Sequence, residues 1–154
     1  MVRVGLIGCG AIGSTLAKAI DSGEVNNADL VAVFDLIGDQ ANDLVGKLKK
    51  KPKKYHEFNS FLRNSDAEII VEAASQEAAI IYSEKVIASG MDILIMSAGA
   101  LLDKEFLSRI KETAKKNNKK VLVPSGAIGG LDAVKAAKYE GLERVVLTIR
   151  KKPE

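Results

Sequence analysis

Short apolar runs alternate with amphipathic stretches along the whole of this 154-residue chain, and that alternation limits the fold more than any other feature. Val2–Ile7 is a β-branched run that ends in glycines. A helix pattern follows, with Ile12, Leu16, Ala19 and Ile20 recurring at intervals of three and four. Leu30–Phe34 reads as a second strand closed by Asp35, and a polar helix is expected from about Gly38 to Lys50. Lys54–His56 suits a short third strand. Glu68–Glu72, Asp92–Met96 and Lys120–Val123 read as the fourth, fifth and sixth. Two more helices lie between these strands. Ser75 caps the first, which carries Glu77 in its first turn, sets Ala79, Tyr82 and Val86 on one face, and stops at Gly90. Asp103 caps the second, with Phe106, Ile110 and Ala114 inward. Continuously apolar strands joined by helices suit a parallel sheet covered on both faces. Right-handed crossovers then give an α/β fold, a doubly wound parallel sheet with expected strand order 3-2-1-4-5-6.

The turn after the first strand carries the chemistry. Gly8-Cys9-Gly10-Ala11-Ile12-Gly13 has the G-x-G-x-x-G spacing, follows a strand and opens a helix. Gly8 permits the tight turn, Gly10 lets the backbone approach an anion, and Gly13 allows close helix packing. Free N–H groups at the helix start favour a pyrophosphate. Asp35 stands 22 positions beyond Gly13, at the end of the second strand, where a carboxylate can accept from adenosine ribose hydroxyls. The pattern is that of a Rossmann dinucleotide-binding domain. Its cofactor is expected to be NAD, with NADP possible, because Asp35 repels a 2′-phosphate.

Other features bound the function. A net charge of +3 is too small to argue for nucleic acid. The basic stretch Lys47–Lys54 reads first as a solvated helix end and loop. A 2′-phosphate contact and a nucleic-acid patch are the sharper alternatives, and no aromatic residue is interleaved there to support the second. No apolar run approaches the roughly 18 residues a membrane helix needs. The N-terminus enters a strand directly, so no leader is expected, and the cytoplasm is the expected compartment. Cys9, the one cysteine, reads as a space-filling residue, the alternative being an acidic thiol at a helix start. His56, the one histidine, reads as a surface residue, so no catalytic base is assigned. No metal site is expected.

Ligands bind beyond the carboxyl ends of the strands in this architecture. Three later strands end in small-residue loops: Glu72-Ala73-Ala74-Ser75-Gln76, Ser97-Ala98-Gly99-Ala100 and Pro124-Ser125-Gly126-Ala127-Ile128-Gly129-Gly130. These leave room for a ribose and a nicotinamide ring. Ser75, Ser97 and Ser125 could donate hydrogen bonds to them, or serve as caps and turns. Arg144–Ile149 reads as a seventh strand. It either extends the sheet edge or, as preferred here, begins a second domain over 143–154, leaving 1–142 as the nucleotide-binding part.

Gly5-Leu6-Ile7-Gly8-x-Gly10-Ala11-Ile12-Gly13, Val71-Glu72-Ala73-Ala74-Ser75-Gln76 and above all Ser125-Gly126-Ala127-Ile128-Gly129-Gly130-Leu131-Asp132-Ala133 resemble the archaeal and bacterial L-aspartate dehydrogenases. Phe106-Leu107-Ser108-Arg109 and Val146-Leu147-Thr148-x-Arg150-Lys151 fit as well. The resemblance covers essentially the whole chain. It implies oxidation of L-aspartate at Cα by hydride transfer to NAD or NADP, giving iminoaspartate that feeds NAD biosynthesis or hydrolyses to oxaloacetate and ammonia. It places Ala11 and Ile12 on the cofactor and Ala73, Ala74, Ala98 and Ala127 along its path to the nicotinamide. Members of that family carry a second α+β domain with the catalytic histidine, most of the substrate pocket and the interface of a homo-oligomer. His56 does not match that histidine, so this chain corresponds to the cofactor part. A related homoserine dehydrogenase or dihydrodipicolinate reductase remains an alternative, as does a stand-alone NAD-sensing regulatory module.

Overall fold

The computed structural model describes residues 1–125, 131–148 and 150. They fall into two compact units, Met1–Pro124 and Ser125–Glu154. The sequence reading carries the nucleotide-binding part on to residue 142, whereas the units divide at Pro124.

The first unit is a six-stranded parallel sheet in the order β3-β2-β1-β4-β5-β6, as the alternation predicts. The strands are β1 (Val2–Ile7), β2 (Ala28–Phe34), β3 (Lys53–Tyr55), β4 (Ile69–Glu72), β5 (Asp92–Ile95) and β6 (Val121–Leu122). Helices α1 (Ala11–Ser22), α2 (Gly38–Lys47), α3 (Phe58–Asn64), α4 (Gln76–Ala88) and α5 (Lys104–Asn117) make the crossovers. β1 pairs with β2 on one side and β4 on the other, so the chain reverses its direction of winding there. That switch point leaves a crevice above the carboxyl ends of β1 and β4.

Side-chain alternation along β1 divides the core. Val4 and Leu6 join Leu30, Val33, Leu44 and Val45 beneath α1 and α2. Ile7 joins Phe34, Phe61, Ile70, Ile93, Phe106 and Ile110 on the opposite face. Gly5 keeps its place in the strand because a Cβ there would meet Ile70 Cδ1 at 2.5 Å and Phe61 Cζ at 3.0 Å.

Several boundaries depart from the sequence reading. α2 ends at Lys47 rather than Lys50. The reason is local: the Asp21 carboxylate accepts from the Lys49 and Lys50 N–H groups, and Lys51 Nζ donates to the carbonyls of Val45, Gly46 and Leu48. The inward positions of α1 are Gly13 and Ala17, while Leu16, Ala19 and Ile20 are only half-buried and Ile12 is 56% exposed. Ile12 lies in the first turn, at the mouth of the loop and off the sheet. α3 was not expected, since its sequence FNSFLRN is short and polar. Glu57 caps it by accepting from the N–H groups of Asn59 and Ser60, and Phe58 and Phe61 bury its apolar side.

The second unit holds α6 (Leu131–Ala137) and a 3-10 turn (Lys138–Glu140) that ends at Gly141, φ +84°. Neither was expected. The seventh strand read over 144–149 is not formed: residues 142–148 are exposed and carry no strand, and Ile149 lies outside the described residues. A strand forms only where a neighbour pairs its N–H and C=O groups, and among the described residues none does so here.

Candidate nucleotide site

The crevice at the switch point contains a cavity of about 290 Å³. Its walls include Gly8 and Gly10 after β1, Asp35 and Ile37 after β2, and Ala74 and Ser75 after β4. Three adjacent parallel strands, β2, β1 and β4, therefore deliver their loops to one place.

The three loop glycines are required for different reasons. Gly8 has φ +94°, and a Cβ on it would come within 2.8 Å of the Ala73 backbone. Its N–H donates to Phe34 O at 2.9 Å. A Cβ on Gly13 would fall upon the Gly8 carbonyl oxygen, well inside contact distance. Gly10 differs. Its φ of −68° suits any residue, and a Cβ there would meet nothing nearer than Gln40 Oε1 at 3.9 Å. Neither backbone nor packing demands a glycine at position 10. What a Cβ would occupy is space on the cavity wall, beside N–H groups that open α1. That arrangement fits a pyrophosphate.

Asp35 lines the same cavity and is tied to the glycine loop. One carboxylate oxygen accepts from Cys9 N–H at 2.7 Å and the other from Ile37 N–H at 2.8 Å. A carboxylate offers about four acceptor positions, so each oxygen retains capacity for a hydroxyl. Among the described residues no lysine or arginine lines the cavity. Three lysines of the basic stretch are engaged elsewhere: Lys50 pairs with Asp29, Lys53 with Asp66, and Lys54 with Asn42. Those contacts favour the structural reading of these lysines over a 2′-phosphate contact.

Cys9 is buried, and desolvation, reinforced by the Asp35 carboxylate, pushes its thiol up to about 12. This is the opposite of an activated thiol. At pH 8 the Cys9 thiol stays protonated, so it should react with iodoacetamide far more slowly than free cysteine until the protein is unfolded. Rapid labelling of the native protein at pH 8 would contradict this placement.

The remaining predicted positions divide. Ala73 is buried, with its N–H donating to Ile7 O, and lines the cavity with Ala74 and Ser75. Ser75 is also the cap of α4, accepting from Ala78 N–H at 3.0 Å. Ala11 and Ile12 stand exposed in the first turn of α1. Ser97 and Ala98 follow β5, outside the cavity wall, where Ala98 begins a 3-10 turn to Leu102. Ser125 is exposed and opens the second unit, and Ala127 lies outside the described residues. His56 packs its ring against Gly38 and is not one of the residues that line the cavity.

One participant escaped the sequence reading. Glu72 ends β4 with its side chain fully buried. Oε1 accepts from Ala74 N–H (2.8 Å), Ser75 N–H (3.1 Å) and Ser97 Oγ (3.0 Å), and Oε2 accepts from Ser97 N–H (3.1 Å). The signal was an acidic residue closing an otherwise apolar strand, which needs buried donors to compensate it.

Known proteins extend the geometry. Residues 8–124 match the family described as homoserine dehydrogenase, NAD binding domain. The L-aspartate dehydrogenase of Methanocaldococcus jannaschii is 39% identical over 151 residues, which is 98% of this chain and 55% of that protein. That of Archaeoglobus fulgidus is 40% identical, over 96% of this chain and 56% of its own length. The chain thus spans about half the length of the curated relatives it matches. Aspartate dehydrogenase from Thermotoga maritima superposes with a TM-score of 0.67 at 30% identity, covering 90% of this chain and 52% of that one. Myo-inositol dehydrogenase from Lactobacillus casei, in complex with NAD(H) and myo-inositol, superposes at 0.77 with 23% identity over 92% of this chain and 42% of its own, a likeness of fold alone. The matched family takes in the glycine loop, Asp35 and every strand after β1, so the chain belongs to the NAD-binding domain family of the homoserine dehydrogenases, with NAD as its cofactor.

Proposed function

We propose that this chain is the cofactor-binding part of an L-aspartate dehydrogenase, which oxidises L-aspartate to the imine and so to oxaloacetate and ammonia, feeding NAD biosynthesis. The open wall at Gly10, with Asp35 beside it in a cavity at the switch point, carries the cofactor half of this reading. Similarity to L-aspartate dehydrogenases along nearly the whole chain supports the substrate half. When bound, NAD supplies the hydride acceptor. The N–H groups of Ala11, Ile12 and Gly13 hold its pyrophosphate, with Gly8 and Gly10 admitting it. Asp35 accepts from the adenosine ribose and disfavours a 2′-phosphate. By resemblance to the L-aspartate dehydrogenases, Ala73, Ala74, Ala98 and Ala127 line the path to the nicotinamide, and Ser75, Ser97 and Ser125 offer hydrogen bonds to the ribose and nicotinamide.

The catalytic base, the aspartate pocket and the contacts of a homo-oligomer belong on this reading to a second domain, which begins over 143–154. The setting is the cytoplasm. Among the described residues no helix is long and apolar enough to cross a membrane.

A homoserine dehydrogenase is the second reading, because the matched family carries that description. The intact protein with NAD should raise absorbance at 340 nm with L-aspartate and leave it flat with L-homoserine. The reverse pattern would establish the second reading and defeat the first.

A further inference from the structure

Resting on the cofactor reading above, we infer that Glu72 is a positioning residue that couples the two halves of the dinucleotide site. In a doubly wound sheet the two mononucleotide halves lie on opposite sides of the switch point. The cavity walls belong to the adenosine side, over β1 and β2, with the β4–α4 loop closing it. The loop after β5 stands on the other side. Glu72 is the buried group that reaches both. It holds Ala74 and Ser75 of its own loop and, 25 residues onward, both the N–H and the hydroxyl of Ser97.

A second contact joins the same two loops. Gln76, the first residue of α4, packs its side-chain amide against Gly99 so closely that a Cβ there would lie 2.5 Å from Nε2. All four Glu72 partners are donors, which matches the acceptor-only character of a carboxylate. Their distribution is uneven. Oε1 serves both loops, whereas Oε2 serves Ser97 N–H alone.

That asymmetry makes Glu72→Gln selective. An amide that keeps its oxygen at the Oε1 position retains the local loop and turns an NH2 group toward Ser97 N–H. The Ser97 N–H loses its acceptor and faces another donor, which displaces the β5 loop, while the Ser97 hydroxyl and the β4 loop keep their bonds to Oε1. The expected result, in the intact protein, is about ten-fold weaker NADH binding, as for loss of a buried charge-assisted hydrogen bond. Binding of ADP-ribose, which carries the adenosine and pyrophosphate without the nicotinamide, should stay within about two-fold, the scale of a surface contact. A purely structural role would weaken both ligands together.

Equal losses for NADH and ADP-ribose, or no loss for either, would overturn the inference. If Glu72→Gln does not fold, Ser97→Ala removes only the hydroxyl donor and carries the same comparison, with a smaller NADH effect and the same contrary outcomes. Wild-type protein that binds neither ligand would defeat the cofactor reading itself, and the inference with it.

Discussion

Gly13→Ala should cost about 3–5 kcal/mol of stability and abolish NADH binding, whereas Gly10→Ala should leave stability within about 0.5 kcal/mol of wild type and weaken NADH by ten-fold or more. The two substitutions add the same methyl to the same loop. At position 13 the methyl falls upon the Gly8 carbonyl oxygen, which is backbone and cannot rotate away. α1 would have to lift from the loop, disturbing Ala17 and the Leu6 contact beneath it. At position 10 the nearest atom is the flexible end of Gln40, at 3.9 Å, and φ is already that of an ordinary residue. The protein tolerates that methyl, and only a ligand lying on the loop would meet it. Chemical denaturation and NADH fluorescence on both variants separate the cases. Equal loss of stability at the two positions would show that Gly10 serves the fold and not a ligand.

Asp35 should set the choice of cofactor. NADH is expected to bind at least ten-fold tighter than NADPH, because a 2′-phosphate would face a carboxylate with no cation among the described residues of the cavity wall to offset it. Asp35→Ala removes the ribose acceptor together with the ties to Cys9 N–H and Ile37 N–H. NADH affinity should fall about ten- to a hundred-fold, the range for hydrogen bonds to a charged group. NADPH, which gained nothing from the carboxylate, should lose less, so the preference collapses. Pairing Asp35→Ser with Leu36→Arg should invert it, since Leu36 is 73% exposed beside the cavity and can carry a cation without repacking. Titration of both cofactors tests this, and equal wild-type affinities would remove Asp35 from its assigned role.

Much of the fold was legible because its signals are local and repeated. Strand order follows from alternation and handed crossovers, and both caps read from sequence, Ser75 and Asp103, bind the N–H groups expected of them. What escaped lacks such a signal. α3 is seven residues long and owes its existence to Glu57 and to burial of Phe58 and Phe61. The run 144–149 promised a strand, yet strand formation depends on a partner that composition does not specify. In the site, Gly8, Gly10, Gly13 and Asp35 stood out by spacing. Glu72 did not, because its role depends on Ser97, 25 positions distant, and only the sheet order brings them together.

Amide NMR of the chain during NADH addition tests the central claim most directly. A dinucleotide seated at the switch point should shift the resonances of Gly8, Gly10, Ala11, Ile12, Asp35, Ala74 and Ser75, and leave those of Asp29, Lys53 and Asp66, at the opposite ends of the strands, in place. Shifts centred on the latter group, or none at saturating NADH, would contradict the account.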